Sequence, residues 1–184
     1  MSKIRGEMSC STEIMENPKG LVKILAQGLR MLWNIEISTC PANNSIDNKL
    51  KLAEIRVSNN LCNIEDAEPE TYGTNGFSNP EELLQWLKNN KPMEELVFSH
   101  GDYCLPNIFI SNNNINGFID LGRSGIADKY QDIALCYRSL IRNFDGTYGE
   151  KVYDGFDAAI LFDELKIVPD WEKIKYYILL DELF

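Results

Sequence analysis

The apolar positions of this chain follow two different periods. Leu21, Ile24, Leu25, Gly28, Met31 and Leu32 recur at helical spacing behind Asn17-Pro18, a capping residue with proline at the first helical position. Ile46, Leu50, Ala53 and Val57 predict a second helix after Ser45. Asn79-Pro80-Glu81-Glu82 opens a third, with a cap, first-turn acids and a buried set of Leu83, Leu84, Trp86 and Leu87. Residues 58–78 are polar and loop-like, ending in a Gly/Asn cluster from Gly73 to Ser78. The centre then changes period. Leu96-Val97-Phe98 reads as a short strand leading into Ser99-His100-Gly101-Asp102. Ile108-Phe109-Ile110 and Ile115 through Ile119 read as two strands joined by Asn112-Asn113-Asn114, residues that tolerate left-handed geometry. After Gly125 the pattern is helical again, over about 129–142, 148–164 and 171–182. The expectation is an α+β chain, mostly helical, with one small β-hairpin.

Composition narrows the class. The 184 residues are 44% hydrophobic and 25% charged, without repeats or low-complexity tracts, enough for one domain with a substantial core. No apolar run approaches the ~20 residues that span a bilayer, and the N-terminus has no signal-peptide core, so a soluble, cytoplasmic protein with no membrane partner is expected. The net charge of −10 argues against general nucleic-acid binding, which depends on Lys and Arg neutralising phosphates. It suits a cationic small molecule better, although on charge by itself acidity for solubility alone is the stronger reading. Five scattered cysteines without C-x-x-C spacing and a single histidine argue against a zinc site, a disulfide framework or a hydrolase triad.

The densest chemistry surrounds the hairpin. If Asn112–Asn114 turns the chain, Ile110 lies near Asn116, and Asn107 lies near Ile119 or Asp120 at the other end of the ribbon. Asp102 arrives on the loop just before. Three oxygen-bearing side chains there suit Mg2+ and phosphoryl transfer, with a carboxylate near the acceptor hydroxyl and two ligands for the metal on the phosphates.

His100-Gly101-Asp102-Tyr103-Cys104-Leu105-Pro106-Asn107 and Ile119-Asp120-Leu121-Gly122 resemble the catalytic and metal-binding motifs of aminoglycoside phosphotransferases, whose fold is related to that of protein kinases. LVFSHGD (96–102), FIDLGRSG (118–125) and PDWEKIKYYILLDELF (169–184) are similar to the 3'-phosphotransferase branch. The resemblance implies the C-terminal lobe of a kinase-like fold. In that frame residues 1–6 are a hinge remnant, 17–93 a helical substrate region, 94–128 the catalytic and metal loops, and 129–184 the C-terminal helices. Asp102 would orient or deprotonate the acceptor hydroxyl, His100 would support the loop, and Asn107 and Asp120 would bind Mg2+ with ATP as phosphoryl donor. Arg123 would steady the catalytic carboxylate or the phosphoryl group, with a surface salt bridge as the alternative. Arg138, Asp181, Glu182 and Phe184 would face an aminoglycoside.

Two departures from the family pattern stand out. The loop before Asn79 reads Thr71-Tyr72-Gly73-Thr74-Asn75-Gly76 where the family carries substrate-facing acids, leaving Glu65, Asp66, Glu68 and Glu70 upstream as substitutes. The start of the chain resembles the family's hinge, and no glycine-rich phosphate loop occurs in it. The nucleotide-binding lobe is therefore expected to be absent, and the isolated chain impaired unless completed in trans or by self-association. Two other readings stay open: a non-catalytic module for cationic ligands, and a kinase for another small hydroxyl compound.

Overall fold

The computed structural model describes residues 4–149 and 151–184; Met1, Ser2 and Lys3 of the hinge-like segment lie outside the described residues. The element order is β1 (Glu7–Met8), α1 (Thr12–Met15), α2 (Pro18–Trp33), α3 (Ile46–Ser58), α4 (Pro80–Asn89), β2 (Leu96–Ser99), β3 (Ile108–Ser111), β4 (Asn114–Phe118), β5 (Gly125–Asp128), α5 (Lys129–Phe144), α6 (Ile160–Leu165) and α7 (Trp171–Asp181). The expectation of a mostly helical α+β chain holds.

Local chemistry sets the helix starts. Asn17 accepts the Gly20 N–H at 3.1 Å ahead of Pro18, and Asn79 accepts the Glu82 N–H at 2.9 Å ahead of Pro80. Asp128 caps α5 through the Tyr130 N–H at 2.7 Å, and Asp170 caps α7 through the Lys173 N–H at 3.0 Å. The apolar stripe of α2 buries Leu21, Leu25, Ala26 and Leu29. Helix α5 is buried on most of its circumference, polar Gln131, Asp132, Ser139 and Asn143 included, and packs against α7 and β2.

The hairpin forms with a tighter turn than expected. Only Asn112 and Asn113 turn the chain, with φ of 51° and 58°, the left-handed pair that a two-residue hairpin loop requires. Asn114 already belongs to β4, opposite Ser111, and Ile110 faces Ile115 rather than Asn116. A bulge after Phe109 absorbs the slip and restores Ile108 opposite Phe118.

Two short strands escaped the sequence pattern. Strand β1 adds to β3, pairing Glu7 with Ile110, and β5 pairs antiparallel with β2, placing Ser99 opposite Gly125. Each is too short to show a period. Of the helix expected over 148–164, in which Glu150 lies outside the described residues, the structure forms α6. Upstream of it, Gly155 takes a positive φ of 75°, while Tyr153 and Phe156 fold back on Phe144, the latter stacked at 3.7 Å between ring centroids.

Candidate active site

The β2–β5 pair delivers two loops to one place, Ser99–Asn107 and Asp120–Ser124. They touch at Gly101, whose φ is +85° and where a Cβ would lie 2.1 Å from the Arg123 carbonyl oxygen. Only glycine permits that approach. From below, α5 clamps the first loop. The buried Asp132 carboxylate accepts the His100 N–H at 2.7 Å, the Gly101 N–H at 2.9 Å and the Ser99 hydroxyl at 2.9 Å. Burial pushes its pKa up, and these three donors work against the rise.

His100 is buried and faces Tyr103 and Phe118 edge-on, with ring centroids 6.0 and 5.8 Å away. Its Nδ1 accepts the Asp102 N–H at 3.3 Å, while Nε2 meets no partner among the described residues. Its place is in the loop's foundation. Tyr103 donates its hydroxyl to the Leu25 carbonyl at 2.8 Å, threading the loop onto α2.

Asp102 stands above this base, half-buried. The Asn107 side-chain amide donates to its carboxylate Oδ2 and to its main-chain oxygen, both at 3.0 Å, and the Cys104 thiol donates to Oδ1 at 3.0 Å. Burial first, then the adjacent Asp102 charge, push the Cys104 pKa up, so the thiol keeps its proton. Because Asn107 spends its NH2 group on Asp102, its Oδ1 is left as a free hard donor. The Ile119 N–H bonds the Asn107 main-chain oxygen at 3.0 Å, which seats Asp120 alongside. Asp120 is exposed, takes a left-handed φ of 56°, and makes no capping bond. Such backbone strain in a non-glycine residue recurs where a side chain must be aimed.

A second cluster lies where α5, the end of α7 and the 61–78 loop meet, around a pocket of ≈ 280 Å³. Arg138 is its hub. Its Nη2 donates to Asp181 at 2.5 Å and its Nη1 to Glu182 at 3.4 Å, with Glu68 3.9 Å from Nε. Glu68 also pairs with Arg142, and its N–H donates to Glu182 Oε2 at 3.2 Å. Burial pushes Glu182 up to about 7, although Arg138 opposes that shift. Phe184 completes the wall.

The predicted residues therefore form two neighbouring groups. Asp102, Asn107 and Asp120 share the open end of the hairpin, away from its turn; Arg138, Asp181, Glu182 and Phe184 share the pocket. Arg123 bridges them, since it follows Asp120 on the turn but its Nη1 donates to Asp181 at 3.1 Å. The upstream acids divide: Asp66 and Glu68 line the pocket, whereas Glu70 lines a separate cavity with Tyr72 and Thr74. Lys49 of α3 escaped the sequence reading. Its ammonium donates to Gln131 Oε1 at 2.8 Å, and burial pushes its pKa down to about 8. Asp132 escaped too, although a charge followed by Ile133-Ala134-Leu135-Cys136 in a buried helix was a legible anomaly.

A family model described as "Phosphotransferase enzyme family" matches residues 11–177. An aminoglycoside 3'-phosphotransferase of Enterococcus faecalis is 45% identical over the whole chain, which spans 66% of that relative's length. Among solved structures, an aminoglycoside-3'-phosphotransferase of type VIII superposes with a TM-score of 0.83 at 27% identity, covering 100% of this chain and 67% of that one. An aminoglycoside phosphotransferase from Streptomyces rimosus, in complex with ADP and streptomycin, superposes with a TM-score of 0.79 at 25% identity, covering 99% and 68%.

Proposed function

This chain belongs to the phosphotransferase enzyme family, and from that premise we propose that it carries the acceptor and metal side of phosphoryl transfer from ATP to a hydroxyl of an aminoglycoside. The observation that supports this most directly is the pair of hydrogen bonds that the Asn107 amide donates to Asp102, which leaves the side-chain oxygen of Asn107 free near the exposed carboxylate of Asp120. Asp102 receives the acceptor hydroxyl and its proton, a role that typically contributes ~10²–10⁴-fold. Cys104 and Asn107 hold one carboxylate oxygen each, so the group is aimed before substrate arrives.

Asn107 Oδ1 and Asp120 are the residues that would hold Mg2+. No cluster of three or more His, Cys, Asp or Glu side chains suited to a metal occurs among the described residues. Magnesium in phosphoryl transfer takes only one or two carboxylates and completes its shell with phosphate oxygens and water, so a pair of hard oxygens fits it. When bound, the ion would neutralise charge on the phosphates.

The pocket supplies the cation preference. Asp66, Glu68, Asp181 and Glu182 outnumber Arg138 in its lining, and carboxylates bind ammonium groups by charge-assisted hydrogen bonds. The names of the relatives and the streptomycin-bound neighbour point the same way. The test is a calorimetric titration of the purified chain with kanamycin, with and without Mg-ATP, following ADP release beside an Asp102→Ala control. ADP release that requires kanamycin and disappears in the variant supports the proposal. Kanamycin binding without ADP release retains the ligand and removes the transfer from this chain alone, as a module for cationic ligands would behave. Absence of both overturns the reading.

A further inference from the structure

The pocket places Asp181 and Glu182 at the C-terminal end of α7, the end of a helix that repels negative charge, and α7 has no basic residue in its last turn. The compensating cations come from other elements. Arg138 and Arg123 reach the carboxylates themselves. Arg56, on α3, does something different. Its Nε donates to the Leu183 main-chain oxygen at 2.7 Å, and its Nη2 donates at 2.8 Å to the main-chain oxygens of both Phe184 and Leu61. Arg56 thus places a cation on the main-chain oxygens of Leu183 and Phe184, the two residues that follow the C-cap of α7, near the negative end of that helix.

The Phe184 ring collects three cations. Lys49 Nζ, the Arg56 guanidinium and the Arg123 guanidinium lie 5.7, 5.8 and 5.7 Å from its centroid. Lys49 and Arg56 are seven residues apart and so share one face of α3, two turns apart. Arg56 is not part of the pocket lining. It stands behind the wall and ties it to Leu61, where the loop begins that carries Glu68 to Arg138.

We propose that Arg56 is the positioning residue of the Asp181–Phe184 wall, holding a helix end that bears two acids in the arrangement that receives a cationic ligand. This rests on the proposed function only for the ligand. The planar fork of arginine is what reaches several carbonyls at once; a lysine in its place keeps the charge but not the fork.

The test compares wild type, Arg56→Gln and Arg56→Lys as purified chains, by hydrogen exchange with mass spectrometry and by kanamycin titration. In Arg56→Gln, amides of 180–184 should exchange about tenfold faster and kanamycin Kd should weaken about tenfold, with Arg56→Lys intermediate. Amides of α5 and β2 should not change. Unchanged exchange at 180–184 overturns the proposal. So does faster exchange spread through the whole chain, which would mark Arg56 as a general stabiliser, or faster local exchange with kanamycin Kd unaltered. Should Arg56→Gln fail to fold, Arg56→Lys carries the test, and it must show the same local signature at smaller size. Should wild type bind no kanamycin, the exchange pattern still decides the positioning role, and only the ligand of the proposed function falls.

Discussion

The backbone N–H of His100 donates to Oδ2 of Asp132 at 2.7 Å, across 32 residues of sequence. Asp132 therefore replaces, for the tip of a tight loop, the partners that a strand would have supplied. Asp132→Ala leaves the buried His100 N–H and the Ser99 hydroxyl without that acceptor, while the Gly101 N–H keeps Ser99 Oγ at 3.0 Å, at about 1–3 kcal/mol for each unsatisfied group. The expected loss is at least about 2 kcal/mol in urea unfolding, with Asp132→Asn less damaging because one acceptor oxygen survives. A loss below about 1 kcal/mol for the alanine variant would show that the loop is held by something else.

Helix propensity and packing give opposite signs at Gly28. Alanine is favoured over glycine inside a helix by roughly 0.5–1 kcal/mol, but a Cβ at Gly28 would lie 2.1 Å from the Tyr103 hydroxyl. That hydroxyl is buried and committed to the Leu25 carbonyl. Packing should win. Gly28→Ala is expected to destabilise by about 1–3 kcal/mol, the ordinary cost of overfilling a core. Tyr103→Phe removes the clashing oxygen, so Gly28→Ala should cost less in that background. Strict additivity in the double-mutant cycle would count against the clash.

The same glycine marks what could be read from sequence. Its place in the apolar stripe of α2 was visible at helical spacing, whereas the reason for a glycine there lies 75 residues away in Tyr103. Long periodic segments and their caps at Asn17 and Asn79 were legible because the signals are local. Strands β1 and β5 were not, since two to four residues cannot display a period and their partners are distant. The juxtaposition of Asn107 with Asp120 followed from hairpin geometry even though the turn was one residue too long, because the bulge after Phe109 corrected the register. Asp132 was legible as a charge in an apolar helical run, but its partners were not, and Lys49 and Arg56 were hidden for the same physical reason: each acts on backbone or side chains brought to it only by tertiary packing.

Asn107 joins two jobs that substitution can separate. Asn107→Ala removes both bonds to Asp102 and the oxygen assigned to magnesium. Asn107→Asp keeps an oxygen for the metal but sets a second carboxylate against Asp102, disfavouring ionisation of the pair. Under the proposed function, both should lower kcat for kanamycin phosphorylation by about 10²-fold or more with little change in kanamycin KM. Excess Mg2+ should recover part of the activity of Asn107→Asp only. An alanine variant within about twofold of wild type would remove Asn107 from the metal and from the support of Asp102.

Glu182 gives the pocket a pH signature that needs no ligand. Burial pushes its carboxyl up to about 7 from an ordinary 4.5, with Arg138 and the Glu68 N–H opposing the shift and the Asp181 and Glu68 charges adding to it. Once the chain unfolds, the carboxyl titrates near its ordinary value, so between these two pH values the native state holds more protons than the unfolded state. The stability contributed by this group is therefore full below about pH 4.5 and is lost as pH rises through about 7. Glu182→Gln cannot titrate and removes that dependence. The unfolding free energy of wild type relative to Glu182→Gln should slope downward from about pH 5 to about pH 7 and level off above about pH 8. Parallel curves across that range would mean that Glu182 ionises as an exposed carboxyl does, and that its pairing with Arg138 outweighs its burial.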